Sequence, residues 1–115
     1  MSPKRGERVA PPARAAEWEL RFATSDAAKR WDDLCAAAAG AARTCYDQLR
    51  SDPSRRDDRQ HPLRGELGHR VVGGASLPQW QYEATGAGRV WFCVDEARRV
   101  VWLTAVHVGH PKATE

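Results

Sequence analysis

The chain has 115 residues and carries 18 basic against 15 acidic side chains, a net charge of +3. At roughly 100 to 200 residues per domain, that leaves room for one compact domain and a tail, and large multidomain enzymes are excluded. Leu, Val and Phe together number only 18 and Ile is absent, but five Trp and two Tyr supply large apolar area, so a small folded core is expected rather than disorder.

Residues 1–16 contain Pro3, Pro11 and Pro12 with Lys4, Arg5, Arg8 and Arg14. Such a composition buries too little apolar surface to offset chain entropy, so a flexible, basic, Pro-rich arm is expected, followed by a single domain over 17–115. No apolar stretch of the secretory kind follows the arm, and no apolar run approaches the ~20 residues of a membrane span, so a cytoplasmic protein without membrane contact is expected. Trp18, Leu20 and Phe22 then alternate with Glu17, Glu19 and Arg21, the period of a half-buried strand.

Ser25 is placed to cap a helix, with Asp26 in its first turn, and Ala27, Trp31, Leu34, Ala38 and Ala41 recur at three- and four-residue spacing. A break at Gly40 and a second stripe through Ala42, Cys45, Tyr46 and Leu49 predict a helical hairpin or one kinked helix, ended by Ser51-Asp52-Pro53. Residues 52–61 balance Arg55, Arg56 and Arg59 against Asp52, Asp57 and Asp58 without large apolar residues, which predicts a solvated, mobile loop.

Strands are predicted at 67–72, 80–84, 89–95 and 100–108, joined by Gly73-Gly74, Thr85 to Gly88 and a two-residue turn at Glu96-Ala97. Counting from that last turn puts Val90, Phe92 and Val94 beside Leu103, Val101 and Arg99 against the helices. Arg89, Trp91 and Cys93 then share the other face with Thr104, Trp102 and Val100, unless a bulge shifts the register. The order predicts an α+β fold, a two-helix hairpin packed on one face of a small, mainly antiparallel sheet whose other face is open. Cys35, Cys45 and Cys93 form an odd set without a Cys-x-x-Cys pair, which argues against disulfides and structural zinc and predicts idle thiols.

In this order the chain resembles the RelE/ParE toxins of bacterial type II toxin-antitoxin systems, over roughly 18–112. The resemblance is carried by Leu49-x-x-Asp52-Pro53 after the helical hairpin, His61-Pro62-Leu63-Arg64-Gly65, the strand Gly88-Arg89-Val90-Trp91-Phe92, the Asp95-Glu96 turn, and the apolar last strand into His107. It implies an endoribonuclease that cleaves messenger RNA, often in the ribosomal A site, and is neutralised by a cognate antitoxin. Arg89 falls where the family has the arginine that stabilises the transition-state phosphate, and His107 where some members keep a general-acid histidine. Arg64 matches a cation common after the Pro-Leu pair, and His61 occupies a position that is a catalytic glutamate in some members. No tyrosine follows Tyr82, whereas members commonly have one near the C-terminus.

Cleavage of RNA through its own 2′-hydroxyl needs a base near that hydroxyl, cationic donors on the pentacoordinate phosphate and an acid for the departing 5′-oxygen; it calls for no metal or cofactor. Arg89 suits the phosphate, because a guanidinium stays charged and bonds two oxygens at once. Its alternative role is an ion pair with Glu83. His107 and His110 compete as the acid, His110 standing in an exposed tail before Pro111, and His61 or Glu66 is the candidate base. Arg64 and Lys112 would neutralise flanking phosphates. Trp91 and Trp102 would stack on bases, while Trp18 and Trp31 are assigned to the core. Two other readings stand beside this one: a ParE-like toxin that binds DNA gyrase and hydrolyses nothing, and an inactive relative that only binds its antitoxin.

Overall fold

Leu20 and Phe22 are buried while Glu19 and Arg21 remain partly exposed, and this alternation forms strand β1 (Glu19–Phe22) in the computed structural model, which describes residues 3–9 and 11–109. Helix α1 (Ser25–Ala37) follows, capped by Thr24 rather than Ser25: the Thr24 hydroxyl oxygen accepts from the Ala27 amide at 2.9 Å. The chain breaks at Ala38, whose φ of −150° and ψ of 69° leave the helical region, and α2 (Ala39–Ser51) carries Gly40 inside its first turn. The expected break at Gly40 is therefore corrected to Ala38.

Five further strands complete the fold: β2 (Gln60–Pro62), β3 (His69–Val72), β4 (Ala75–Glu83), β5 (Arg89–Asp95) and β6 (Val100–His107). They form one sheet in the order β1-β6-β5-β4-β2, with β3 added to β4 off this path. Only β1 and β6 run parallel, so the fold is α+β with two helices on a mainly antiparallel sheet. One sheet face meets Ala27, Ala28, Trp31 and Leu34 of α1 and Ala42, Cys45, Tyr46 and Leu49 of α2 in a single buried cluster. Alanines on both helices let them lie close to Phe92, Val101 and Leu103, each 0% exposed. Trp31 is in this core as expected, whereas Trp18 is only half-buried, with the Arg99 guanidinium 4.4 Å above its ring.

Gln60, inside the predicted loop, is fully buried and pairs with Tyr82. The Asp57 carboxylate makes this strand possible without apolar residues by accepting from the Arg59 and Gln60 amides, both at 2.9 Å. Residues 65–68 are a 3-10 turn, so the third strand starts at His69 rather than residue 67. Strand β4 starts at Ala75; Pro78 is tolerated because β4 there pairs with β3, and pairing with β5 starts only at Gln79. Residues 6–9, within the stretch expected as a flexible arm, run along β1: the Gly6 amide donates to the Phe22 carbonyl at 2.8 Å and the Val9 amide to that of Leu20 at 2.7 Å. Val9 is 3% exposed, so this segment packs into the core instead of standing free.

The β5–β6 hairpin turns through Glu96–Arg99, not two residues, with Arg99 at φ 56°, and pairs Asp95 with Val100. Arg99 thereby leaves the helix-facing side assigned to it. From Asp95 to Phe92 the register is straight; a bulge at Trp91/Phe92 then leaves Thr104 unpaired, and beyond it Trp91 faces Ala105 and Arg89 faces His107. Without the extra residue Arg89 would oppose Val106, and His107 would point at the helices.

Candidate active site

Paired residues of an antiparallel sheet project to the same side, so the register alone builds a row across the face away from the helices: Glu83 on β4, Arg89 on β5, His107 on β6. The next row holds His61 on β2, Gln81 on β4, Trp91 on β5 and Ala105 on β6. The face is only partly open. The β3–β4 hairpin folds over its other half, where the Arg70 guanidinium donates to the Thr104 carbonyl at 3.4 Å and the Gln79 side-chain amide to that of Leu67 at 2.8 Å. Among the described residues, the open sheet face expected from the sequence is thus reduced to the corner holding these two rows.

The Arg89 guanidinium is docked on the loop that precedes its strand. Its Nη1 donates to the carbonyls of Gly88 at 2.9 Å, Thr85 at 3.0 Å and Gly86 at 3.3 Å. Its Nη2 lies 3.9 Å from Glu83 Oε2, so the ion pair weighed as an alternative exists, at the outer edge of contact. The loop keeps its shape because the Thr85 hydroxyl oxygen accepts from the Gly88 amide at 2.7 Å, and Gly88 has no room for a side chain: a Cβ there would sit 2.7 Å from Thr85 Oγ1 and 3.2 Å from the Val108 carbonyl oxygen. With Nη1 held by carbonyls, Nε and Nη2 are left to meet an anion above the sheet.

His107 is exposed and packs edge-on against Trp91, ring centroids 5.1 Å apart at 72°. Trp91 is itself fixed by its Nε1–H, which donates to Gln81 Oε1 at 3.0 Å. A guanidinium and an imidazole thus occupy neighbouring strands, with a carboxylate on the far side of the guanidinium. At about 4.8 Å between strands, the Cα atoms of Glu83 and His107 stand ~10 Å apart, with Arg89 on the strand between them.

The other expected site residues are dispersed. His61 is half-buried in the second row, three strands from His107, with Nδ1 3.3 Å from the Pro62 carbonyl oxygen. Arg64 lies beyond β2 in a cleft also lined by Arg56 and Asp58, and Glu66 is exposed in the 3-10 turn. Trp102 sits on the hairpin-covered half, its Nε1–H donating to Asp95 Oδ2 at 3.4 Å, away from Arg89 and His107. His110 and Lys112 lie outside the described residues. Glu83 as a candidate base is the residue the sequence reading passed over; its place opposite Arg89 needs the β4–β5 register, although the short Gly-rich hairpin was the available signal.

Burial raises the thiol pKa of Cys35 and Cys45, and that of Cys93 to about 11, so none is a ready nucleophile. Among the described residues, no three His, Cys, Asp or Glu side chains converge as metal ligands, and no helix is long and apolar enough to cross a membrane. Compared with known proteins, the chain matches no family model, no curated protein and no solved structure.

Proposed function

We propose that the protein is a RelE/ParE-like toxin, a metal-independent endoribonuclease that cleaves messenger RNA in the cytoplasm, at the ribosome or free, and is held inactive by a cognate antitoxin. The observation that carries the reading is the pairing of Arg89 with His107 on the corner of the sheet that the described residues leave open. Arg89 holds the scissile phosphate through Nε and Nη2 and stabilises the charge that grows on its oxygens. Glu83 accepts the proton of the 2′-hydroxyl as that oxygen attacks phosphorus. His107, in its protonated form, gives a proton to the departing 5′-oxygen, so the products are a 2′,3′-cyclic phosphate and a free 5′-hydroxyl. Trp91 supplies an aromatic surface beside this row for a neighbouring base.

The purified chain incubated with messenger RNA in excess chelator, with and without ribosomes, tests the reading. Cleavage leaving 2′,3′-cyclic phosphate ends is expected, and Arg89→Ala should lower its rate by ~10²–10³-fold, the usual loss for one oxyanion-stabilising donor. Cleavage unchanged in Arg89→Ala, or ends of another kind, would overturn it. Inhibition of supercoiling by gyrase, with RNA left intact, would replace it with the non-hydrolytic alternative.

A further inference from the structure

The half of the sheet face beneath the β3–β4 hairpin has no part in the cleavage row, yet it encloses a cleft of about 400 Å³ between the hairpin tip and the end of β1. That volume lies within the ~300–1,000 Å³ of small-molecule sites. Trp102, Val72, Gly73, Arg5 and Arg70 are among the residues that line it.

The charge in this cleft is one-sided. No carboxylate lines it among the described residues. The neighbouring cations are compensated, Arg21 by Glu19 at 2.7 Å and Arg98 by Asp95 at 3.0 Å. By contrast, neither Arg5 nor Arg70 has a carboxylate within ion-pair distance among the described residues, and Arg70 makes only a long bond to the Thr104 carbonyl. Two exposed guanidiniums therefore flank a half-buried indole whose plane is tethered by Asp95. A flat aromatic surface accepts a planar ring, and a pair of arginine forks matches the oxygens of a phosphate.

We infer that this cleft binds a nucleoside monophosphate unit, its base stacked on Trp102 and its phosphate between Arg5 and Arg70. The site is separate from the proposed cleavage row: Trp102 and His107 lie five residues apart on β6, about 16 Å at ~3.3 Å per residue. It therefore stands or falls independently of the ribonuclease reading. The unit is either a free nucleotide or one residue of a bound RNA strand.

The indole N–H resonance of Trp102 in the full chain, followed by NMR during titration, tests the assignment. AMP should give a saturable shift at millimolar concentration, with adenosine and inorganic phosphate each binding more weakly than AMP. The double variant Arg5→Gln/Arg70→Gln should weaken AMP binding by at least about tenfold, since each guanidinium–phosphate contact is charge-assisted. Arg30→Gln, on the exposed side of α1, should leave it unchanged. The trinucleotide ApApA separates the sources: tighter binding than AMP assigns the site to an RNA strand, and equal binding assigns it to a free nucleotide. No saturable shift with AMP, inorganic phosphate binding as tightly as AMP, or a double variant that titrates like the parent would each overturn the inference.

Discussion

Arg89 is oriented by backbone oxygens, with its one nearby carboxylate at the edge of contact, and this distinguishes it from an ordinary surface arginine. Three loop carbonyls within 3.3 Å fix Nη1, so the guanidinium keeps its direction even if Glu83 gives up its distant contact and turns to a hydroxyl. Asp95 shows a different use of charge, closing the β5–β6 turn. Burial acts to raise its pKa, but hydrogen bonds from the Arg98 amide and guanidinium and from the Trp102 indole outweigh it, leaving the carboxyl below its ordinary 3.8. A group depressed in the folded state contributes stability above its unfolded pKa and loses it as pH falls through the folded value. The parent should therefore lose stability on acidification more steeply than Asp95→Asn, which a comparison of urea midpoints at neutral pH and at pH ~3 measures. Equal slopes would remove Asp95 from the acid transition. Residue chemistry and the family resemblance singled out Arg89 and His107 in the sequence, and the sheet register sets them opposite each other. Glu83 was not read as a base, because a carboxylate two strands from a histidine is invisible without the register.

Among the elements, β6 decides the site. Its bulge reverses which side of the strand each later residue takes, so Val106 enters the core at 3% exposure and His107 leaves it. Thr104, the extra residue, is buried and held: its hydroxyl donates to Gln79 Oε1 at 2.5 Å while its carbonyl accepts from Arg70. Thr104→Val keeps the shape but leaves that buried oxygen without a donor, a loss of ~1–3 kcal/mol in urea unfolding, whereas Thr104→Ser should retain most of the stability. A valine variant as stable as the parent would show that the bulge needs no pin. The helix-facing side of β5 was legible because Val90, Phe92 and Val94 recur at every second position, although Trp91 and Cys93 between them give no apolar–polar contrast. The bulge was not, because the sequence around Thr104 gives no signal for where an extra residue falls. β2 escaped for another reason: a short strand held by an aspartate and a buried glutamine has no apolar period to detect.

At the scale of the whole molecule, three coverings among the described residues leave one corner of the sheet open. The helices cover one side of the sheet, the β3–β4 hairpin covers half of the other, and residues 6–9 line the β1 edge, leaving the corner with Glu83, Arg89 and His107. With a net charge of only +3, the RNA recognition proposed there would depend on local geometry more than on long-range attraction. The α+β class was legible because a helical period gives way to strand periods after residue 60. The parallel pairing of β1 with β6 was not, since it joins opposite ends of the chain. In the proposed cleavage His107 protonates the leaving oxygen while Arg89 holds the phosphate. An RNA substrate with sulfur in place of the 5′-bridging oxygen at the mapped cleavage position tests it most directly, because a thiolate departs without a proton. His107→Ala should cleave the oxygen-linked RNA poorly yet approach the parent rate on the sulfur-linked one, while Arg89→Ala should be slow on both. Equal impairment of His107→Ala on the two substrates would contradict it.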